Sequence, residues 1–337
     1  MAGLLEESNN LLSEAATHPE ALSTTRFWHK RLTLTGHAKP RTPVPWMILY
    51  MIIDVGTYML TIVSFYYLLT RYLILPVERG FYCNDPEIRR PFHENTISTT
   101  LLLIITLFFP YIIIFGDFWI RKDLFSNGRT LFQSIFNPSF QTCRSTCYVY
   151  LDYVLSFGIL TYLLEIVKCY TGRLRPNFIQ LCKPSTLFEC EENPLGYITS
   201  FICQTSFKHS RNSRLSFPSG HAAASIFSLL FLAYFLQRTE RKLLAQFHDA
   251  KKQQQQQRSS KTTDFKLRLK TKLSMLYTKG MIAMYGGFCV ICCASRVLDN
   301  WHFMSDVIGG ILFALLSFFI LLKSYTKIGK PINQKID

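Results

Sequence analysis

Six apolar stretches of membrane-spanning length constrain the fold of this chain more than any other feature of its sequence. The hydrocarbon core of a bilayer is about 30 Å thick, so a helix needs about 20 apolar residues to cross it. Of the 337 residues, 49% are hydrophobic and only 18% are charged, a balance typical of membrane proteins. The sequence therefore predicts an all-α integral membrane protein with six transmembrane helices in a bundle. The stretches lie at roughly 47–70, 98–117, 147–168, 221–237, 279–297 and 304–323.

The distribution of basic residues predicts how this bundle is oriented. The formal net charge is +15, and eleven Lys and Arg residues lie with three acidic residues in one loop, residues 238–278. This concentration in a single loop argues against nucleic acid as a partner, and the positive-inside rule places the loop in the cytosol. With an even number of spans, both termini are then cytosolic. The loops at 71–97, 169–220 and 298–303 are predicted to face the outer or lumenal side.

The same pattern divides the chain into three parts. They are a cytosolic N-terminal tail of residues 1–45, a six-span domain of residues 46–325 and a cytosolic C-terminal tail of residues 326–337. The N-terminal tail contains four glutamates and lacks a compact apolar segment, so no secretory signal peptide is predicted. The low-complexity run Gln253–Gln257 predicts a flexible segment within the basic loop.

Four of the ten cysteines fall in the predicted outer loops, where an oxidising compartment permits disulfide bonds. Cys83 lies in the first outer loop, and Cys182, Cys190 and Cys203 lie in the second. We expect two of these last three to pair, with Cys182 and Cys190 favoured. No Cys and His spacing fits a zinc site, so no metal ion is expected.

Three polar clusters lie at the ends of the apolar stretches, and the predicted topology places all three on the outer side. Ionisable residues at the membrane edge are costly and are usually kept for function. Together the clusters contain cations, small residues, two histidines and a carboxylate, which are the groups needed to hold a phosphate and break its ester bond. The clusters are Lys168 with Arg175-Pro176, then Pro218-Ser219-Gly220-His221, then Ser295-Arg296 with His302 and Asp306.

The first two clusters carry groups suited to binding phosphate. Arg175 offers a planar fork of N–H donors that matches phosphate oxygens, Lys168 offers a compact charge, and Arg173 is a further candidate. Gly220 opens the fourth predicted span, where unpaired backbone N–H groups at a helix N-terminus bind anions, and it allows close approach to the backbone. The neighbouring Ser219 hydroxyl can donate one more hydrogen bond.

The third cluster carries a candidate nucleophile. His302 and Asp306 are four residues apart and share one helix face, so Asp306 is expected to accept a hydrogen bond from one ring nitrogen of His302. The other ring nitrogen is then free to attack, and Arg296 is expected to contact the same phosphate. Taken singly, the clusters have simpler explanations, namely a snorkelling lysine, a helix cap and a structural His–Asp hydrogen bond. Their occurrence together favours a catalytic site.

The three clusters are similar to the signature motifs of the type 2 phosphatidic acid phosphatase superfamily. Within it, the chain resembles the animal lipid phosphate phosphatases, the group that includes the Wunen proteins of flies. Two further segments resemble that group, Gly80–Asp85 in the first outer loop and Tyr170–Phe178, which reads YTGRLRPNF. The resemblance covers roughly residues 45–325, essentially all six predicted spans.

The resemblance implies a role for each candidate residue. His302 would attack phosphorus to form a phosphohistidine, with Asp306 supporting it, and His221 would protonate the leaving alkoxide and then activate water. The resemblance implies no metal ion and no cofactor, and it allows a homo-oligomer. The residues expected to hold the phosphoryl oxygens are Lys168, Arg175, Ser219, Gly220 and Arg296.

The resemblance also implies the substrate class and the location. The expected substrates are phosphatidic acid, lysophosphatidic acid, sphingosine-1-phosphate and ceramide-1-phosphate, hydrolysed at the outer or lumenal edge of the plasma membrane or of an internal membrane. One alternative keeps the chemistry and changes the substrate to a polyprenyl diphosphate or a sugar phosphate, because this fold hosts several activities. Another is a non-catalytic membrane scaffold that binds lipid in the same pocket.

Overall fold

The computed structural model describes residues 75–120, 140–256 and 261–328, together with the separate positions Gly56, Leu60 and Val63. The described chain is mostly helical, and five of its helices are long and apolar enough to cross a membrane. This confirms the prediction of an all-α integral membrane protein. The candidate spans are Thr99–Phe118, Thr146–Thr171, Gly220–Ala245, Thr271–Leu298 and Met304–Lys323.

These helices correspond to the last five of the six predicted spans. The first predicted span, at 47–70, lies outside the described residues except for the three separate positions. The predicted N-terminal tail, residues 1–45, and residues 329–337 of the C-terminal tail also lie outside them. The count of six spans and the three-part division therefore stay predictions.

The helices form a bundle around one long central helix, α6. Buried aromatic and aliphatic side chains of α6 pack against α2, and the rings of Tyr153 and Phe231 have centroids 5.0 Å apart. The same helix packs along α7 and α8 on its other sides. The described helices are α1 (Thr99–Phe118), α2 (Phe140–Thr171), α3 (Phe178–Cys182), α4 (Glu189–Glu192), α5 (Phe207–Asn212), α6 (Gly220–Gln256), α7 (Lys261–Leu298) and α8 (Met304–Ile328).

The basic segment at 238–278 is more helical than the loop that the sequence predicted, and the run predicted to be flexible is helical at Gln253–Gln256. The helix α6 continues through Gln256, and α7 begins at Lys261, so most of this segment is helical. At a rise of about 1.5 Å per residue, helices of this length exceed the thickness of a bilayer core. The reason is that Gln, Lys, Leu and Ala are good helix formers, and an apolar span has already nucleated the helix.

A small folded cap joins the ends of α2 and α6. It contains the short helices α3, α4 and α5, and two short antiparallel strands, β1 (Phe81–Tyr82) and β2 (Tyr197–Ile198). Buried side chains of Phe81, Phe178 and Ile198 form a hydrophobic core of their own in this cap. The cap therefore folds around the chain that leads from the first polar cluster to the second.

Two disulfide bonds hold this cap, and they correct the expected pairing. Cys182 pairs with Cys203, and Cys83 pairs with Cys190. Two of the three cysteines of the second loop do pair, but the favoured bond between Cys182 and Cys190 is wrong. Antiparallel pairing of β1 with β2 brings the first outer loop beside the second, so that Cys83 becomes the partner of Cys190. Sequence spacing alone does not reveal that contact.

Candidate active site

The end of α2 directs the first cluster towards the other two. Gly172 has φ of +53°, a left-handed conformation that suits glycine, and a side chain there would collide with the Val77 carbonyl. Its N–H donates to the Lys168 carbonyl at 3.0 Å, which closes the last helical turn. The chain then turns away from the helix axis and carries Arg173 and Arg175 across the end of the bundle.

Arg175 joins the first cluster to the third. Its guanidinium donates to the carbonyl oxygens of Asn212 at 2.6 Å, Trp301 at 3.1 Å and Leu215 at 3.2 Å. Its Nη1 lies 3.5 Å from His302 Nε2, and the group stacks over the Trp301 ring at 4.9 Å. Burial lowers the pKa of Arg175 to about 10, so the side chain still carries its charge at neutral pH.

Lys168 joins the first cluster to the second. A side-chain carbon added at Gly220 would lie 3.0 Å from Lys168 Nζ, so the ammonium group sits against the first residue of α6. Lys168 Nζ lies 3.8 Å from Oε2 of Glu165, which stands one turn earlier in α2. The other carboxylate oxygen accepts from Arg211 Nη1 at 2.9 Å, a contact that the sequence did not suggest.

The second cluster forms the N-terminus of α6. Its Pro218 follows a cis peptide bond, and the Ser219 N–H donates to the Asp306 carbonyl at 3.0 Å. The Ser219 hydroxyl is fully buried and has no hydrogen-bond partner among the described residues. Because the first N–H groups of a helix lack intrahelical acceptors, this end of α6 presents donors beside Lys168.

His221 lies on the first turn of α6 and faces the other clusters. Its Nε2 is 3.2 Å from the Ile97 carbonyl oxygen, just before α1 begins. Arg296, Lys168 and the His302 ring all lie near enough to act on this imidazole electrostatically. The two histidines therefore lie within one electrostatic environment, and their joint catalytic role stays a prediction.

His302 follows the short turn between α7 and α8, and its geometry differs from the expected one. Nδ1 lies 2.7 Å from the Ser216 carbonyl oxygen but 3.7 Å from Asp306 Oδ2, which is beyond hydrogen-bonding distance. A carbonyl can only accept, so Nδ1 carries the proton and Nε2 faces Arg175 unprotonated. Burial lowers the pKa of His302 to about 3, with Arg175 acting in the same direction and Asp306 opposing.

Asp306 is fully buried and held by other donors. Its Oδ2 accepts from the Ser216 hydroxyl at 2.6 Å and from the Phe303 N–H at 2.9 Å. Its Oδ1 accepts from Arg173 Nη1 at 2.6 Å, so Arg173 is the charge partner of this carboxylate. These donors explain why the expected contact with His302 does not form.

Arg296 is the most completely enclosed cation of the site, with 1% of its surface exposed. Its Nη1 donates to Asn95 Oδ1 at 2.7 Å, and Nη2 donates to Asp299 Oδ2 at 3.2 Å. Nε and Nη2 also donate to the Ser295 hydroxyl oxygen. Of the five N–H donors of an arginine, these contacts to described residues leave one for a phosphoryl oxygen.

A segment before α1, residues 90–97, crosses the site, and we call it the strap. It contacts all three clusters: the Arg90 N–H donates to the Pro176 carbonyl, the Ile97 carbonyl faces His221, and the Asn95 side chain accepts from Arg296. The Thr96 N–H and hydroxyl both bind the Asp299 carboxylate at 2.8 Å. The strap therefore fixes the turn between α7 and α8.

Several residues of this site were not predicted from the sequence. Ser216 stands two residues before Pro218, so its nearness to the second cluster was the one available signal. The strap lies more than a hundred residues away from the turn it contacts, and nothing in its composition marks it. Among the residues that the structure describes, no group of three or more His, Cys, Asp and Glu side chains is arranged to hold a metal ion. The unpredicted residues are Asn95, Thr96, Arg211, Ser216 and Asp299.

Comparison with known proteins finds similar sequences among the phospholipid and phosphatidate phosphatases. Phospholipid phosphatase 1 of Rattus norvegicus is 32% identical over 206 residues, which cover 59% of this chain and 65% of the relative. A putative phosphatidate phosphatase of Drosophila melanogaster is 28% identical over 283 residues, covering 77% of this chain and 64% of the relative. Phospholipid phosphatase 2 of Bos taurus is 30% identical over 162 residues, covering 48% and 53%.

The chain thus spans less than two thirds of the length of these curated relatives. No solved structure matches the chain. The model of the PAP2 superfamily matches residues 149–330, a range that contains all three polar clusters and more than half of the sequence. The resemblance inferred from the motifs is therefore confirmed, and the chain belongs to the PAP2 superfamily.

Proposed function

We propose that this protein is an integral-membrane lipid phosphate phosphatase that hydrolyses the phosphate monoesters of lipids. The observation that carries the proposal is the convergence of the three clusters, in which Arg175 Nη1 lies 3.5 Å from His302 Nε2 and Lys168 lies against Gly220. The names of the relatives support a phospholipid substrate. Phosphatidic acid, lysophosphatidic acid, sphingosine-1-phosphate and ceramide-1-phosphate are the substrates we expect.

The first chemical step is attack of His302 Nε2 on phosphorus. The nitrogen is unprotonated because Nδ1 holds the proton against the Ser216 carbonyl. As the N–P bond forms and the P–O bond to the lipid breaks, His221, which begins this step as the imidazolium, donates its second ring proton to the leaving alkoxide. The products are a phosphohistidine and the dephosphorylated lipid.

The second step reverses the role of His221. The neutral imidazole takes a proton from water, whose oxygen attacks phosphorus and breaks the N–P bond to His302. Inorganic phosphate leaves, and both histidines return to their starting forms. Asp306 lies 3.7 Å from Nδ1 and stabilises the positive charge that develops on the His302 ring.

The phosphoryl oxygens are bound by groups that the fold holds in place before the substrate arrives. Arg175 is fixed by three carbonyl oxygens, and Lys168 lies beside the α6 N-terminus. Ser219 offers a buried hydroxyl without another partner among the described residues. The last N–H of Arg296 and the backbone at Gly220 complete the set. Donors held in this way stabilise the transition state because they need not reorganise during the reaction.

The proposal includes a mechanism without metal and a site on the outer or lumenal face. No step above requires a Lewis acid, since the cationic side chains balance the phosphoryl charge. A site at the edge of the bundle receives lipid headgroups by lateral diffusion while the acyl chains stay in the hydrocarbon. A plasma-membrane location and association into homo-oligomers are further parts of this proposal.

An activity panel tests the proposal directly. Purified protein in mixed micelles is assayed for phosphate release from the four lipid phosphates, a polyprenyl diphosphate and glucose 6-phosphate, with and without EDTA. We expect turnover of the lipid monoesters that EDTA leaves unchanged and His302→Ala abolishes. His209→Ala, at an exposed histidine of α5, is the matched control and should remain active. Full activity of His302→Ala would overturn the nucleophile assignment, and turnover restricted to the other two substrates would overturn the substrate class.

A further inference from the structure

Ser216 lies between the two residues that make up the proposed nucleophile and its carboxylate. Its carbonyl oxygen is 2.7 Å from His302 Nδ1, and its hydroxyl donates to Asp306 Oδ2 at 2.6 Å. The side chain is fully buried, and the Ser216 N–H donates to the Arg173 carbonyl at 3.0 Å. The residue is therefore held by its backbone and binds both partners at once.

The direct contact between these partners is the longer one. His302 Nδ1 and Asp306 Oδ2 are 3.7 Å apart, and the carboxylate already accepts from Phe303, Arg173 and Ser216. A neutral carbonyl consequently keeps the proton on Nδ1. At 3.7 Å the Asp306 carboxylate acts on the His302 ring by electrostatic attraction and not by a hydrogen bond.

We propose that Ser216 is a positioning residue whose carbonyl fixes the reactive tautomer of His302 and whose hydroxyl keeps the Asp306 carboxylate off Nδ1. This inference rests on the proposed function, because it takes His302 Nε2 as the nucleophile. The backbone carbonyl acts in any variant at this position, whereas the hydroxyl can be removed. The testable part is thus the bond from the hydroxyl to Asp306.

The arrangement has a chemical consequence for the second step. A ring whose Nδ1–H is bonded to a neutral oxygen is less basic at Nε2 than one bonded to a carboxylate. A less basic nitrogen is a better leaving group when water attacks the phosphohistidine. Holding Asp306 at a distance therefore favours release of phosphate while the carboxylate still stabilises the positive ring.

Loss of the hydroxyl changes the groups that act on His302. The charged and titratable groups around the ring are Arg175 and Lys168 from the first cluster, His221 on α6 and Asp306 on α8. Only Asp306 favours the protonated ring. In Ser216→Ala, Oδ2 loses a donor and can approach Nδ1, so the pKa of His302 rises towards its ordinary value.

The experiment compares three variants in the full-length protein. Ser216→Ala is expected to lower kcat by between about tenfold and about a hundredfold, the loss typical of a misplaced reacting group, with little change in KM. Its kcat/KM profile should lose activity at a higher pH on the acid side than the wild type. Ser216→Cys keeps a weak donor of similar size and should fall between the two. Ser213→Ala removes a buried hydroxyl that donates to the Ser210 carbonyl and retains the backbone carbonyl that accepts from the Arg175 N–H, so it should behave as the wild type.

A second measurement needs no substrate. The ¹⁵N shifts of the His302 ring report its tautomer and its pKa, and in Ser216→Ala we expect the pKa to rise with the proton still on Nδ1. Unchanged kinetics together with an unchanged His302 pKa would overturn the role of Ser216. An inactive wild type with the expected NMR change would overturn the proposed function and leave the positioning role supported, so the two failures are distinguishable.

Discussion

At the scale of single residues, Arg175 shows how one side chain can bring distant segments to a common centre. The three carbonyl oxygens that it binds come from the cap and from the turn between α7 and α8. Each of these bonds is donated by a different guanidinium nitrogen, Nε, Nη1 or Nη2, so the group is fixed in orientation beside His302. A charge that is fixed in this way can meet a phosphoryl oxygen without rearranging.

Arg175→Lys tests this orientation. Lysine keeps the positive charge but cannot bind three carbonyl oxygens in a fork, so we expect kcat/KM for lysophosphatidic acid to fall by about 10²–10³. Arg241→Lys, at an exposed position of α6, should retain wild-type activity. If Arg175→Lys stayed within about threefold of the wild type, charge alone would account for the role of Arg175.

The depressed pKa of His302 predicts a pH dependence of stability. In the unfolded chain the imidazole takes up a proton near pH 6.5, whereas the folded site does so only near pH 3. The unfolded state therefore binds more protons between these values, and stability falls as the pH is lowered through that window. At pH 5 the expected contribution is a loss of about 2 kcal/mol.

Thermal unfolding in detergent at pH 7 and pH 5 measures this effect. His302→Gln lacks the titrating group, so its Tm should fall less between the two pH values than that of the wild type. Equal decreases in the two proteins would show that His302 is not held neutral by the fold.

At the scale of elements, the strap couples the entry of α1 to the turn between α7 and α8. Its residue Asn95 accepts from Arg296, and Thr96 binds Asp299, the other partner of Arg296. The arginine is thus oriented by a segment about two hundred residues away in the sequence. The strap is an expected determinant of how Arg296 presents its remaining N–H to a phosphoryl oxygen.

Asn95→Ala tests the strap. Removing the acceptor leaves Arg296 less well oriented, and we expect kcat/KM to fall by between about tenfold and about a hundredfold, since a hydrogen bond to a charged group contributes about 1.5–3 kcal/mol. Asn95→Asp keeps an acceptor and should remain close to the wild type. His93→Ala is the control, because His93 binds Trp301 through its backbone carbonyl, which the substitution retains. Equal losses in Asn95→Ala and Asn95→Asp would contradict an acceptor role.

The sequence predicted the helices better than it predicted the contacts between the loops that connect them. The apolar stretches predicted helices at the five described spans because burial in lipid demands both length and low polarity. The spacing of His302 and Asp306 correctly placed them near one another, but it did not reveal that Ser216 stands between them. Pairings such as Cys83 with Cys190, and Asn95 with Arg296, depend on where separate loops meet, and no local pattern in the chain encodes that.

At the scale of the whole molecule, the two ends of the bundle differ in chemistry. The candidate active site and both disulfides lie where α2 and α7 end and α6 and α8 begin. The opposite end carries the basic extensions of α6 and α7. Disulfides form in oxidising compartments and basic residues favour the cytosolic side, so both features favour the orientation predicted from the sequence, which stays a prediction.

A protease site inserted between Gln256 and Lys261 tests that orientation. In intact cells, a protease added outside should leave the protein uncut, because the joint between α6 and α7 is expected to face the cytosol. After the membrane is permeabilised, the same protease should cleave it. The matched control is the same insertion at Leu195 in the cap, an exposed position that should be cut in intact cells if the protein reaches the cell surface. Cleavage of the joint together with protection of the cap would mean that the candidate active site faces the cytosol. Its substrates would then be lipid phosphates of the inner leaflet.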